Sequence, residues 1–504
     1  MIVNNLKLPF YIQGDDLKTA LIKKCKVSQK VTHFEILKRS LDARDKRDIK
    51  YVYSVSINEP SASQKLPTFT KEINPVIIGS GPAGLFTALY LARMGAKPIV
   101  VERGSKCQER KRKINEFYLS GELDTNCNIQ FGEGGAGTFS DGKLNTGIKS
   151  EYIKNVLKDF VKAGASQEIL YSNKPHIGSD ILPIVVTNIR QEIESLGGRF
   201  IFDTTFTGLN IKNGRVESIK TTCGEIMVGE LILAIGHSAR DTVKMLFDSG
   251  LQMQSKPFAV GVRIEHLRED INVSQYGENY DKRLPTADYK LTANINGKGV
   301  FTFCMCPGGY VMPSTSEKQK VVVNGMSLFA RDGKNSNSAV IVQVDSSDYG
   351  SGLFDGVRFQ EELESKAYIL GGSNYNAPVQ QFGDYLKGEK SKKFDRVEPT
   401  YARGVTSADL NQLFTPTINN ALKQGVISMG KRLKGFDDYS AVISGVESRT
   451  SSPIRLLRED NGLAIGFENI YPVGEGAGYA GGITSSAVDG IKTAFKIYEK
   501  HNIS

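Results

Sequence analysis

The sequence predicts an α/β protein: a parallel, Rossmann-like sheet domain with an α+β insertion and a small α/β module in front. Three observations predict it. Residues 73–104 read as a strand, glycine-rich turn, helix and second strand. Residues 230–236 (Glu-Leu-Ile-Leu-Ala-Ile-Gly) read as a buried strand running into a glycine. Residues 469–490 read as a strand that ends on Gly474-Glu475, followed by a helix from Ile483 through Tyr498.

In the first unit, Val76–Ile78 is the short apolar run expected of a parallel strand buried on both faces. Gly79, Gly81 and Gly84 follow with the spacing G-x-G-x-x-G, with Pro82 and Ala83 opening the helix. That spacing lets the chain turn tightly, lets backbone approach a pyrophosphate, and packs a helix closely on the strand. Phosphates would sit on the helix N-terminus, where unpaired N–H groups and the macrodipole favour negative charge. Leu85, Leu89 and Ala92 keep helical spacing, and Gly95 marks the stop. The strand Ile99–Val101 then ends at Glu102, 23 positions after Gly79, close to the roughly 20 at which a carboxylate accepts a ribose hydroxyl. The glycine spacing alone carries little, since it recurs at Gly132, Gly134, Gly137 and at Gly476, Gly478, Gly481 with no second strand ending in an acid. The strand, helix and acid around residues 79–102 make this unit dinucleotide-binding.

A chain of 504 residues is long enough for two or three domains. The expected organisation is a basic α/β module at 1–60, a linker at 61–72, a first nucleotide-binding segment at 73–250, a substrate domain at 251–440 and a returning nucleotide-binding segment at 441–504. No apolar run reaches the length of a membrane span, and residues 1–10 lack the pattern of a signal peptide, so a cytoplasmic protein is expected. The six cysteines are too scattered for a secreted disulfide framework, and Cys304-Met-Cys306 has no partner pair for zinc, so no metal site is expected. The net charge is +9, and residues 1–72 hold fourteen Lys/Arg against eight Asp/Glu. Such a module suits either a solvated surface or an anionic partner such as nucleic acid.

In the N-terminal module, Leu17–Lys24 suits a helix, and Val31–Arg39 and Tyr51–Ile57 suit strands. After Glu102, Arg103 or Arg110 on the basic helix 108–117 is expected to face the pyrophosphate; surface charge is the other reading. Residues 129–147 are too rich in glycine for a helix or core strand. They suit backbone passing close to a flat ligand, with Gly134, Gly135, Thr138 and Ser140 expected to touch it. Amphipathic helices are expected at 151–163 and 184–196, a meander at 199–229, strands at 258–264, 300–304, 321–323 and 339–344, and helices at 357–370 and 417–433.

Together these landmarks resemble the glutathione-reductase-like superfamily of flavoproteins. Within it, residues 132–146, Leu233-Ala-Ile-Gly236 through Asp241, 303–309, 447–453 and 474–490 are similar to the bacterial "FAD-dependent dehydrogenase" family. The resemblance covers about residues 70–504 and implies FAD as cofactor. It further implies that Gly79, Gly81 and Gly84 hold the pyrophosphate and Glu102 the adenosine ribose. Gly236 would lie on the mid-chain turn, Gly474 and Glu475 at the ribityl chain, and Gly482 and Ile483 at a helix end near the flavin pyrimidine edge.

The activity so implied is an FAD-dependent oxidoreductase, a dehydrogenase or reductase of two-electron flavin chemistry on a small substrate. Such chemistry needs position, exclusion of water and an acid or base from the protein. His176 and His237 are candidates for proton transfer, with Glu447 behind them, and Arg449 for an anionic substrate group or for pairing with Glu447. Cys304 and Cys306 are a candidate redox pair; Cys107 and Cys127, twenty apart, do not match the C-x-x-x-x-C of flavin disulfide reductases. No second fingerprint with its own acid marks an NAD(P)H domain, which leaves NAD(P)H as a transient electron donor. The alternative reading is a flavoprotein that acts on or binds RNA through the basic N-terminal module.

Overall fold

A computed structural model describes residues 1–12, 14–26, 30–59 and 65–502. Its centre is a five-stranded sheet in the order Ile470–Pro472, Glu230–Leu233, Pro75–Ile78, Ile99–Val101, Arg199–Ile201. All four pairings are parallel. The two central segments, Glu230–Leu233 and Pro75–Ile78, are buried along their whole length, which is why they read as continuous apolar runs.

Alternate residues point to opposite faces. Ile77 and Ile232 join the core under the helices, while Val76, Ile78, Leu231 and Leu233 join the core shared with Val216 and Ile219. The latter two belong to a three-stranded antiparallel sheet, Phe206–Lys212, Arg215–Thr221 and Gly224–Met227, the body of the expected meander. Arg199–Ile201 departs from it and pairs with the parallel sheet instead.

On the helical face, Pro82–Arg93 and Ile483–Asn502 lie unusually close. Thr87 Oγ1 donates to the Gly490 carbonyl at 3.2 Å, and a Cβ on Gly490 would stand 2.4 Å from the Ala83 carbonyl oxygen. Their N-terminal ends therefore open side by side at one edge of the sheet.

The middle of the chain forms a seven-stranded sheet in the order Thr292–Ile295, Lys298–Cys306, Asn335–Val344, Phe258–Leu267, Val442–Glu447, Ala377–Gln381, Val405–Ser407. Its backbone is the unbroken antiparallel register from Phe258 opposite Val344 to Leu267 opposite Asn335. Val442–Glu447 lies in this sheet, past the boundary expected at 440, so the chain rejoins the parallel sheet only at Ile470.

Three antiparallel strands, Ile2–Pro9, Lys50–Ile57 and Phe34–Asp42, with the helix Gly14–Cys25, make the N-terminal module. Residues 61–64 of the expected linker lie outside the described residues. Beyond them the chain is fastened: the Phe69 N–H donates to the Met94 carbonyl, and its ring meets Tyr498 edge-on. No helix among the described residues is long and apolar enough to cross a membrane.

Candidate functional site

The three glycines of the first turn do three different things. Gly79 has φ +99°, and a Cβ there would meet the Ala234 carbonyl oxygen at 2.3 Å. A Cβ on Gly84 would stand 1.9 Å from the Gly79 carbonyl oxygen, so this residue sets the contact of helix on strand. Gly81 differs: the only neighbour within 4 Å of its Cβ position among the described residues is Gly135 Cα at 3.8 Å. Its missing side chain keeps space free rather than relieving a clash.

That space is a cavity of about 360 Å³. Gly79, Gly81, Pro82, Ala83, Glu102 and Arg103 line one side, Gly135, Ser140 and Lys143 another, and Gly236, His237, Glu475, Gly482 and Ile483 a third. Cys304 from the seven-stranded sheet, Arg449 and Thr450 from the chain just after it, and Asn324 from a two-stranded ribbon, Tyr310–Pro313 with Val323–Met326, close it. The helix Pro82–Arg93 starts at the cavity with no side-chain cap and no acid in its first turn, and Ile483–Asn502 likewise has no acid there. Two positive helix ends and an open glycine fit a dinucleotide with its anionic pyrophosphate.

Glu102 is buried and binds the loops together. Its Oε2 accepts from the Ser80 N–H at 2.9 Å and hydroxyl at 2.7 Å, and its Oε1 from the Gly104 and Gly132 N–H groups, both at 3.0 Å. Arg103 stacks on Phe131, 4.4 Å from the ring centre, and pairs with Asp241 at 3.0 Å.

Arg110, expected at the pyrophosphate, is fully buried beneath the glycine-rich loop instead. Its guanidinium donates to the carbonyls of Asn128, Ile129, Glu133 and Gly135 at 2.8–2.9 Å. A Cβ on Gly132 would come 2.4 Å from its Cδ. Glu133 accepts from the Cys107 N–H at 2.7 Å and pairs with Arg190 at 2.6 Å. Gly134 and Thr138 belong to this support, with the Thr138 hydroxyl on the Glu133 carbonyl and the Gly134 N–H on the Ser80 carbonyl; neither lines the cavity. Gly474 is also support, its N–H held by Asp489 at 2.8 Å.

The two histidines separate. His237 directs Nδ1 at Glu475 Oε1, 3.2 Å away, while its buried Nε2 has no partner among the described residues. It stands between the first cavity and a second one of about 620 Å³, which Phe131, Arg240, Glu317, Phe354 and Arg358 help to line. His176 lies outside both cavities, with Nε2 on the Phe329 carbonyl at 3.1 Å and its ring stacked on Phe329. Burial and the nearby Arg331 charge lower its pKa.

Arg449 pairs with Glu364 rather than with Glu447. Both Arg449 and Arg240 reach Glu364 at 2.8 Å, and against its burial these guanidiniums hold the Glu364 carboxyl well below the usual range. Glu447 instead faces Arg263 at 3.2 Å. Burial pushes its pKa up to about 7; Arg263 opposes the rise, and Cys304 adds to it.

Cys304 lines the cavity and Cys306 is buried behind it, with no exposure. Arg263 Nη2 lies 3.4 Å and Lys143 Nζ 3.8 Å from the Cys306 sulphur. A hydrogen bond from Cys306, with Lys143 and Arg263 close by, holds the Cys304 thiol well below its ordinary pKa despite burial. Burial and the Cys304 contact push Cys306 well above. Lys143, Asn324 and Gln130 are cavity residues that sequence reasoning missed. Only Lys143 carried a signal, as the single cation inside the glycine-rich loop.

Residues 72–113 match the family described as FAD binding domain, and residues 257–450 match "FAD-dependent protein, C-terminal domain-like". Residues 1–58 match a domain of unknown function. An uncharacterised protein of Clostridium beijerinckii is 44% identical over 527 residues, covering 99% of each chain. Among solved structures, L-amino acid deaminase from Proteus vulgaris with its specific insertion deleted is similar over 86% of this chain and 91% of its own, at 12% identity and a TM-score of 0.37. Glycine oxidase from Bacillus cereus is similar over 85% and 95%, at 12% identity and a TM-score of 0.33. The fold rests on the strand order itself. The chain belongs to one family with the clostridial protein, and with its FAD-binding and FAD-dependent domains it is an FAD-dependent oxidoreductase.

Proposed function

We propose that this FAD-dependent oxidoreductase stretches its cofactor along the cavity from the glycine turn to the start of the C-terminal helix, and acts on a small molecule admitted through the second cavity. One observation carries this reading: segments 79–83, 102–103, 135–143, 235–239 and 475–483, far apart in the chain, line one cavity. Bound FAD supplies two-electron redox chemistry.

The chain's own residues do the rest. Gly81 leaves the pyrophosphate room beside the uncapped helix end at Pro82. Glu102 accepts a ribose hydroxyl when the Ser80 hydroxyl turns to the Gly132 carbonyl, 3.5 Å away. Gly482 and Ile483 present the second helix end to the far part of the cofactor, where positive potential favours the reduced ring. Glu475 orients His237, whose free Nε2 holds or moves a proton between the two cavities. The likeness to glutathione-reductase-like flavoproteins and to the FAD-dependent dehydrogenases supports the same placement, with NAD(P)H as a transient donor.

The test is anaerobic. The purified protein is expected to carry about one FAD per chain, and titration with NADH, NADPH and a dithiol identifies the donor that bleaches it. Glu475→Ala is expected to lower bound flavin; a colourless protein that takes up no added FAD overturns the reading.

A further inference from the structure

We propose that Cys304 and Cys306 form a dithiol–disulfide couple that exchanges two electrons with FAD bound in the cavity, Cys304 being the interchange sulphur and Cys306 the resolving one. This rests on the cofactor placement above. The pair sits at an irregularity of its strand. Phe303 faces Ala339 but Cys306 faces Asn337, so three steps on one strand oppose two on the other. Cys304 itself has φ +44°, a left-handed conformation uncommon outside glycine. Bulges of this kind re-aim side chains beside active sites.

The result is a division of labour. The Cys304 side chain reaches the cavity wall, while Cys306 is fully buried behind it. Two residues apart on the bulged strand, the pair is in direct contact: Cys306 Sγ donates to the Cys304 carbonyl oxygen at 3.3 Å. Arg263 Nη2 holds that same oxygen at 2.5 Å, and both Arg263 and Lys143 reach the Cys306 sulphur. Cysteines that only fill space need no cations beside them; two positive charges next to the pair favour one thiolate within it over two neutral thiols. Cys107 and Cys127, buried beside the glycine-rich loop, lie outside the cavity lining.

The step balances. The Cys304 thiolate and Cys306 thiol give up two electrons and the Cys306 proton. One S–S bond forms as the Cys306 S–H bond breaks, and the oxidised FAD ring takes the electron pair and the proton. Run backwards, reduced FAD reopens the disulfide.

The test uses the full-length holoprotein. Oxidised wild type is expected to take up two two-electron equivalents of dithionite per FAD, and Cys304→Ser only one, a twofold difference. Thiol counting after denaturation reads the pair without turnover. All six thiols titrate in the reduced protein, and two are lost on oxidation, with a peptide spanning 304–306 lighter by two hydrogens. Cys306→Ser places a hydroxyl in a sealed site and tests the resolving role; Cys304→Ser, at the cavity wall, keeps the test open if that variant does not fold. A flavin-loaded wild type that takes one equivalent and keeps six thiols after oxidation overturns the couple alone. A protein that binds no flavin overturns the cofactor placement along with it.

Discussion

Gly81 and Gly84 stand three residues apart, yet alanine at each is expected to fail in a different way. At Gly84 the new methyl group would stand 1.9 Å from a backbone oxygen that cannot swing aside. Gly84→Ala therefore costs about 3 kcal/mol of stability, read as a lower denaturation midpoint with or without FAD. At Gly81 the methyl meets only an ordinary 3.8 Å contact, so stability changes by under ~1 kcal/mol, while flavin occupancy falls at least tenfold. Glu447 gives a second contrast. Its pKa is raised from 4.5 to about 7 in the fold, so the folded chain binds its proton more tightly than the unfolded one. The stability this contributes is complete below about pH 4.5 and is lost as pH rises through about 7. At 1.36 kcal/mol per unit the loss is about 3 kcal/mol, and Glu447→Gln is expected to flatten the pH dependence of the denaturation midpoint across that window. Glu364, held low, stays ionised throughout it and adds no slope. Its own substitution by Gln leaves Arg240 and Arg449 to share Glu317, at 2.9 and 3.2 Å, as their remaining close carboxylate, a loss of about 3 kcal/mol, visible as a lower denaturation midpoint at every pH.

The glycine turn, its helix and the acid-ended strand are legible in the sequence because local geometry dictates each of them: φ +99° at Gly79, close packing at Gly84, continuous burial at 75–78. Gly236, Glu475 and Ile483 are legible through the family resemblance rather than through local geometry, and all three line the cavity. What sequence does not reveal is which cations and imidazoles turn inward. Arg110 and Arg103 look alike in a basic stretch, yet four loop carbonyls capture one and the cavity keeps the other. His176 and His237 both sit within two residues of a glycine, but only long-range packing decides that Phe329 claims the first. The strand Val442–Glu447 is equally hidden, since its sheet partners lie at residues 258–267 and 377–381. In the N-terminal module part of the charge is taken up by ion pairs. Lys7, Arg44, Arg47 and Lys50 are ion-paired within it, and Arg39 leaves it to grip Glu168 at 2.7 Å. Backbone bonds of Arg39 to Tyr171 and Asn173, and its guanidinium over the Tyr51 and Tyr171 rings, complete the joint. Arg39→Ala is expected to cost about 1–2 kcal/mol, discounted because Glu168 is half exposed, and to speed proteolysis between the module and residue 73. We propose a solvated surface for this module rather than an RNA site, the reading these ion pairs support. Binding to a mixed RNA probe, followed by anisotropy from low to high salt, is expected to lack the steep slope of counterion release.

At the scale of the whole molecule, the cavity is a joint between two sheets, not a pocket within one. The parallel sheet supplies the two helix ends and Glu102, the glycine-rich loop supplies Lys143, and the seven-stranded sheet supplies Cys304. A ligand held by all of them stabilises their mutual arrangement, because anything that binds the folded chain and not the unfolded one adds RT ln(1 + [L]/Kd), about 2.7 kcal/mol at a hundredfold excess over Kd. Removing FAD is therefore expected to lower the denaturation midpoint and to loosen distant segments together. Hydrogen exchange should rise at once in residues 79–84, 132–143, 235–239, 303–306 and 475–486, while the N-terminal strands Ile2–Pro9 and Lys50–Ile57, which lie outside the cavity lining, keep their protection. Were the cofactor held by the first strand–turn–helix unit alone, only residues 79–103 would respond. The pattern of exchange thus separates a cofactor gripped at one end from one that ties the sheets together, whatever the substrate proves to be.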